Sequence, residues 1–114
     1  MTDASDPSTL PPPVEQSKVS FTGGIRSRVL GFGGTAPFGH LEFDAAELRI
    51  WGLGMEVEVR RTEVRGVHLS IGILATRVRV VYQDGSTARV YFASLGRAGV
   101  REALQRRGWP VIER

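Results

Sequence analysis

Two neighbouring segments near the end of the chain carry arginine at alternate positions, a spacing that can build an anion-binding surface. Arg77 and Arg79 precede the turn at 84–85, whereas Arg89 and Tyr91 follow it. Side chains two residues apart on a β-strand share one face of the sheet. Because each guanidinium group offers planar, paired donors to a carboxylate or a phosphate, this arrangement favours anion binding. A strand face that is merely solvated would explain the same residues, and the sequence leaves both interpretations open.

An earlier predicted strand supplies two more arginines. Ile25, Ser27 and Val29 alternate with Arg26 and Arg28, so the first three residues share one face and both arginines share the other. The candidate ligand-binding residues are Arg26, Arg28, Arg77, Arg79, Arg89 and Tyr91. The ligand that they predict is anionic.

Charge is distributed unevenly along the chain. Residues 1–17 hold three acidic side chains and no basic one, so the remainder holds fifteen basic against nine acidic side chains. Lys18 is the only lysine, and every other basic residue is an arginine. The part predicted to fold is therefore distinctly basic, which suits phosphate or carboxylate partners. The base composition of the source genome would account for the arginine bias equally well.

No residue pattern in the chain demands catalysis. There is no cysteine, which excludes a thiolate nucleophile and a disulfide framework. His40 and His68 lie on separate predicted strands, without the further ligands that a zinc site uses. The glycines at 31–34 precede Pro37 and another strand, whereas a phosphate-binding loop requires a helix directly after it. We therefore expect a protein that is not an enzyme and has no metal and no cofactor.

The chain divides into a tail and one domain. Residues 1–17 combine four prolines with serine, threonine and acidic residues, a composition typical of a disordered segment. Residues 18–114 are long enough for one core and too short for two. Neither a signal-peptide pattern nor a run of about 18 apolar residues is found. We expect a soluble, cytoplasmic protein.

Alternating apolar residues predict a hairpin in the first half of the domain. Leu41 and Phe43 precede a tight connection at 44–47, and Leu48 and Ile50 follow it. Both pairs have the period of two that places side chains on one face of a strand. We expect these four side chains to form the inner face of the hairpin.

Two glycine-rich segments predict irregular backbone. The glycines at 23–24 are expected to interrupt the first strand, and residues 31–39 are expected to form a loop. Both expectations rest on the weak strand propensity of glycine and proline.

The last hairpin is predicted together with its register. Its apolar faces are Val78, Val80 and Tyr82 on one strand and Ala88, Val90 and Phe92 on the other. Both sets face the core only if the loop between the strands has an odd length. A three-residue loop at 83–85 with Gly85 in the left-handed conformation meets this condition. The outward face then collects the arginines together with Val81, Thr87 and Tyr91.

One amphipathic helix is predicted near the carboxyl end, over residues 97–107. Its apolar stripe is Val100, Ala103 and Leu104. Gly108 suits the left-handed residue that follows a helix, and Trp109 then falls where it can pack back on the last turn. We expect Trp109 to be a packing residue and the helix to cover one end of the sheet.

The order of these elements resembles that of a known family. The segments GHLEF at 39–43, ELRIW at 47–51 and VEVRRTEVRGV at 57–67, followed by a hairpin and a helix, are similar to bacterial pleckstrin-homology-like (PH-like) and GRAM-type domains. The resemblance covers residues 25–108. It implies a mainly β fold, a split barrel of seven strands in two packed sheets with the terminal helix plugging one end.

The resemblance and the residue patterns together predict a non-catalytic binding module. Its expected role is protein interaction or scaffolding, with another protein or a second copy of the chain as partner. The alternative is a peripheral binder of anionic lipid headgroups or other polyanions through an arginine-rich sheet face. Nucleic acid is the less favoured partner, because only Tyr91 and Trp51 could interleave an aromatic ring with the arginines.

Overall fold

Eight strands and one helix occupy the described residues, which are 14–27, 33–71, 75–95 and 99–113 of this computed structural model. The strands are β1 (Val19–Ser27), β2 (Gly33–Phe43), β3 (Glu47–Gly52), β4 (Met55–Arg60), β5 (Val64–Ile71), β6 (Ala75–Tyr82), β7 (Val90–Leu95) and β8 (Val111–Glu113). The helix, α1, is Val100–Arg106, and a 3-10 turn at Arg61–Glu63 separates β4 from β5. The fold is mainly β with one helix near the carboxyl end of the chain, which confirms the coarse prediction.

All eight strands belong to one open sheet, in the order β4-β3-β2-β1-β7-β6-β5-β8. Neighbouring strands are antiparallel except β5 and β8, which are parallel. The sequence predicted seven strands in two sheets. The eighth strand arises because residues 111–113 pair with β5, and the sheet is continuous because β1 pairs with both β2 and β7.

β1 pairs with two neighbouring strands, and glycines lie at the point where both pairings meet. β1 pairs with β2 along most of its length and with β7 from Gly24 to Ser27. The prediction that the glycines interrupt the strand is wrong, since the strand continues and only its register with β2 shifts, between Gly23 and Ile25. A Cβ on Gly23 would lie 2.4 Å from the carbonyl oxygen of Ala93, so a larger residue would push β7 away.

The expected loop at 31–39 is also wrong for the part that the structure describes. β2 begins at Gly33, and Gly34 and Gly39 are both paired with β1. Pairing with a neighbouring strand therefore overrides the low strand propensity of these glycines, as tertiary context often does. Residues 31 and 32 lie outside the described residues.

The inner face of the sheet and the helix bury one continuous apolar core. Its buried members are Ile25, Leu41, Phe43, Leu48, Ile50, Met55, Val59, Val64, Val67, Leu69, Val78, Val80, Ala88, Val90, Phe92, Val100, Ala103, Leu104 and Trp109. The first predicted hairpin is confirmed, because Leu41 lies opposite Ile50 and Phe43 opposite Leu48. Every strand from β1 to β7 contributes to this core, so the sheet must curl around it.

The predicted three-residue loop of the last hairpin is confirmed. Gly85 has a φ angle of 89°, which is the left-handed conformation. Its N–H donates to the carbonyl oxygen of Tyr82 at 2.9 Å, and the Tyr82 N–H donates to the carbonyl oxygen of Ser86 at 2.8 Å. The apolar side chains of both strands face the core as expected, with Tyr82 half-buried.

The carboxyl end of α1 closes one end of the sheet. Gly108 has a φ angle of 81°, and the Trp109 N–H donates to the carbonyl oxygen of Leu104 at 3.0 Å, as expected for a helix that ends at a left-handed glycine. Trp109 is buried, and its Nε1 donates to the carbonyl oxygen of Asp44 at 2.6 Å. Its predicted packing role is confirmed.

Arg107 connects the amino-terminal segment to the helix. It is 6% exposed, and its Nε donates to the carbonyl oxygen of Ser17 at 2.7 Å while Nη1 donates to that of Ala103 at 3.0 Å. A buried guanidinium is tolerated when its donors are satisfied in this way. Residues 14–18 are therefore held against α1. The rest of the predicted tail, 1–13, and residues 97–98 of the predicted helix lie outside the described residues.

No helix in the described ranges has both the length and the apolar composition needed to cross a bilayer.

Replacing Phe92 with alanine tests which face of β7 points to the core, because Phe92 is fully buried. We expect the free energy of unfolding to fall by about 3 to 5 kcal/mol, since the change loses apolar burial and leaves a cavity. Urea unfolding followed by circular dichroism measures this loss. Val81→Ala, at a half-buried position on the outer face, is the matched control and should cost less than about 1 kcal/mol. A loss for Phe92→Ala no larger than the control would contradict the inward placement of Phe92.

The Asp44 carboxylate stabilises the turn between β2 and β3. Its Oδ1 accepts the N–H groups of Ala46 at 2.8 Å and Glu47 at 2.9 Å. These two bonds favour the charged form and lower the pKa of Asp44 from its ordinary value of 3.8. Because the pKa is lower in the folded state than in the unfolded state, the stabilisation is complete above pH 3.8 and is lost as pH falls through the folded-state pKa.

We expect Asp44→Ala to lower the free energy of unfolding at neutral pH by about 1 kcal/mol, because two turn amides lose their acceptor. Asp44→Asn keeps an acceptor oxygen and is the matched control. In denaturant titrations between about pH 5 and pH 2, the advantage of the wild type over Asp44→Asn should shrink as the carboxylate is protonated. An advantage that stays constant over this range would show that the charged form is not the stabilising one.

Candidate anion-binding face

The outer face of the central strands presents the side chains that alternate with the core. Ile25, Val78 and Phe92 are fully buried on the inner face of β1, β6 and β7. Their neighbours Arg26 and Arg77 are exposed. The strand period of two therefore positions the arginines opposite the core, as the sequence predicted.

Three side chains meet in a row across β1, β7 and β6. Arg26 lies directly opposite Tyr91 in the pairing of β1 with β7. The guanidinium carbon of Arg79 lies 4.7 Å from the centre of the Tyr91 ring, which is the geometry of a cation–π contact. The row continues onto β5, where His68 lies opposite Arg79. Adjacent strands are about 4.8 Å apart, so the row extends over about 15 Å.

Arg77 lies two residues before Arg79 on β6, on the same face of the sheet. It is opposite Ala93 of β7 on one side and Ser70 of β5 on the other. The small side chains beside it leave the exposed guanidinium group accessible. We define the arginine face as Arg26, His68, Arg77, Arg79 and Tyr91.

The cations of the arginine face have no carboxylate partner within the described part of the chain. The ion pairs found there are Lys18–Glu42, Arg49–Glu56, Arg101–Glu113 and Arg107–Glu15. Lys18–Glu42 joins the residue before β1 to β2, and Arg49–Glu56 joins β3 to β4. The donors of Arg26, Arg77 and Arg79 therefore remain available to an external anion.

Arg89 does not join the arginine face. The ladder between β6 and β7 starts with Val81 opposite Thr87 but continues with Val78 opposite Phe92, so two extra residues are inserted on the β7 side. Arg89 lies in the resulting bend and lines a cavity instead. Because the register slips by two residues, the structure does not align Arg89 with Arg77 and Arg79 across the ladder. Arg28 lies outside the described residues.

His68 is the one residue of the arginine face that the sequence patterns did not indicate. Its outward direction follows from the buried residues Val67 and Leu69 on either side, so the alternation alone could have found it. The alternation does not show that β5 lies next to β6 in the sheet. Only the sheet order brings His68 to Arg79.

The other histidine has a separate environment. His40 stacks on Trp51, with ring centres 5.1 Å apart, and Arg49 covers the same indole at 4.3 Å from its centre. Over the described ranges, no group of three or more potential metal ligands comes together. The two histidines therefore lie on different parts of the sheet, as the sequence predicted.

The donor groups of the arginine face are of the kind that match carboxylates or phosphates. Each guanidinium group presents a rigid fork of donors, and contact with Tyr91 holds Arg79 in place before a ligand arrives. Charge-assisted hydrogen bonds of this kind are stronger than neutral ones. The face is part of a sheet whose backbone is already ordered, so binding needs little further ordering.

No protein-family model matches the chain, and a search of curated proteins found no match.

A double-mutant cycle tests the contact between Arg79 and Tyr91. We expect Arg79→Gln and Tyr91→Leu to be non-additive, with a coupling of about 0.5 to 1 kcal/mol in the free energy of unfolding, because each single change already removes the cation–π contact. Arg77→Gln combined with Tyr91→Leu is the matched control and should be additive, since Arg77 faces Ala93. Equal coupling in both cycles would contradict a specific contact.

Proposed function

We propose that this protein is a non-catalytic protein-interaction module whose arginine face binds the carboxylates of an acidic segment on a partner protein. The observation that supports this most directly is the row in which Arg26 lies opposite Tyr91 and Arg79 stacks on its half-buried ring, with no carboxylate partner among the described residues. Arginine and tyrosine are the residue types that most often dominate the binding energy of protein interfaces.

The residue types also favour an acidic protein segment over a membrane surface. All cations of the face are arginines, whose planar fork matches a carboxylate with two parallel hydrogen bonds. A purely electrostatic membrane contact gains only about 1 kcal/mol per basic residue and needs no particular side-chain geometry. The ordered stack of Arg79 on Tyr91 gives a membrane contact no advantage, whereas it positions donors for a specific partner.

We further propose that the domain is PH-like and works in the cytoplasm. The proposal is supported by seven antiparallel strands in the order β4-β3-β2-β1-β7-β6-β5, followed by a helix that buries Val100, Ala103 and Leu104 against the sheet. The added strand β8 is a departure from the seven-strand pattern. The absence of cysteine suits a reducing compartment.

Charge reversal on the arginine face tests the proposed function. The double variant Arg26→Glu with Arg79→Glu should weaken binding of a fluorescent oligoglutamate peptide by more than about tenfold, because attraction becomes repulsion at two contacts. The matched control is Arg60→Glu with Arg106→Glu, which changes net charge equally at exposed positions away from the face. At physiological salt the control should change affinity by less than about threefold, since charges beyond about 8 Å are screened. Fluorescence anisotropy measures binding, and the unfolding temperature of each variant checks the fold.

The alternatives give different results in the same experiment. An equal loss in both double variants would mean that net charge alone attracts the peptide. Retention on vesicles that contain phosphatidylserine, without binding of the peptide, would favour the membrane surface. Unchanged peptide binding by Arg26→Glu with Arg79→Glu would exclude the arginine face as the site.

A further inference from the structure

A cavity of about 650 Å³ lies between the edge strand β4 and the segment that connects β6 to β7. Its lining residues are Ser27, Met55, Glu56, Val57, Tyr82, Ser86, Thr87, Ala88, Arg89 and Val90. The volume falls within the range of about 300 to 1,000 Å³ that is typical of small-molecule sites. The arginine face contributes none of these residues, so the cavity is a separate feature.

The cavity follows from the way in which the sheet ends. β4 pairs with β3 alone and forms one edge of the sheet. Opposite it, the two-residue slip in the β6–β7 ladder takes residues 88–89 out of regular pairing. The curled sheet therefore stops short of a closed barrel at this seam, and the gap remains open to solvent.

The walls of the cavity are mainly apolar. Met55 and Val90 belong to the buried core, and Val57 packs against the core while it also lines the cavity. The aromatic ring of Tyr82 is half-buried beside them. Such a lining favours the aliphatic or aromatic body of a ligand, because binding removes apolar surface from water.

The cavity is lined by two charged side chains, of which one is already paired and one is not. Glu56 is already paired with Arg49, so its carboxylate is neutralised. Arg89 is exposed and makes no ion pair or hydrogen bond within the described part of the chain. One unpaired cation beside an apolar gap is complementary to a ligand with one anionic head and an apolar body.

We infer that this cavity is a binding site for an amphipathic anion, with an acyl or alkyl chain between Met55, Val57 and Val90 and a carboxylate or phosphate head at Arg89. The lining supplies both parts of the recognition: apolar contact for the chain and planar donors for the head. The site is independent of the proposed protein interaction, because the cavity and the arginine face share no residue.

Isothermal titration calorimetry with dodecanoate below its micellar concentration tests the inference. Arg89→Gln should weaken dodecanoate binding by about tenfold or more, because the charge-assisted bond is lost. Dodecanol binding should change little in the same variant, since it presents no anionic head. Val57→Trp should weaken binding of both ligands, because the indole occupies part of the space assigned to the alkyl chain. Dodecyl phosphate, compared with dodecanoate, identifies which anionic head the site prefers.

Two matched controls separate this site from the arginine face. Arg77→Gln and Arg106→Gln remove the same charge at exposed positions outside the cavity and should leave dodecanoate affinity unchanged. Arg89→Gln should in turn leave binding of the oligoglutamate peptide unchanged. If Val57→Trp fails to fold, Arg89→Gln with both ligands still decides the question. Dodecanoate binding that is absent in the wild type, or equal in wild type and Arg89→Gln, would overturn the inference.

Discussion

The close backbone approach at the glycines of β1 is the constraint on which the rest of the structure depends. Gly23 lies opposite Gly39, and a Cβ on Gly39 would come within 2.3 Å of the Gly24 backbone. Glycine at these positions allows this close approach, which lies where the pairing of β1 with β7 begins. Without this shared strand the two halves of the sheet would separate. Arg26 would then lose its position opposite Tyr91, and the arginine face would not exist.

Acidic side chains pair with basic ones on one half of the sheet, whereas the arginine face lies on the other half. On the β2–β4 half of the sheet, Lys18 pairs with Glu42 and Arg49 with Glu56, so cations and anions neutralise each other at short range. On the β1–β7–β6 side Arg79 contacts the ring of Tyr91. Among the described residues, no carboxylate pairs with the arginines of this side. Exposed ion pairs contribute little to stability, so leaving these arginines unpaired costs the fold little. The arrangement places several guanidinium hydrogen-bond donors close together on the arginine face.

Local sequence patterns predicted which side chains of each strand face the core better than they predicted which strands pair with each other. The core positions of both hairpins, the left-handed Gly85 and the packing role of Trp109 followed from alternation and turn chemistry, which depend on nearby residues. The slip in the β6–β7 ladder escaped prediction, because an insertion of two residues keeps every side chain on its original face. Phe92 therefore remained a core residue, whereas Arg89 shifted along the chain and is no longer aligned with Arg79 across the ladder. Glycine-rich β2 escaped as well, since its strand geometry is imposed by β1.

The sheet ends at two unequal edges. β8 covers one side of β5 with three residues that end in Glu113, whereas β4 is a longer strand with glutamates at 56 and 58. An exposed strand is a template for pairing with another molecule, and charged side chains along it oppose such pairing. If two copies met through β4, like charges would be brought together across the new ladder. Charged side chains along β4 therefore oppose edge-to-edge pairing with another strand, and the neighbouring gap stays open.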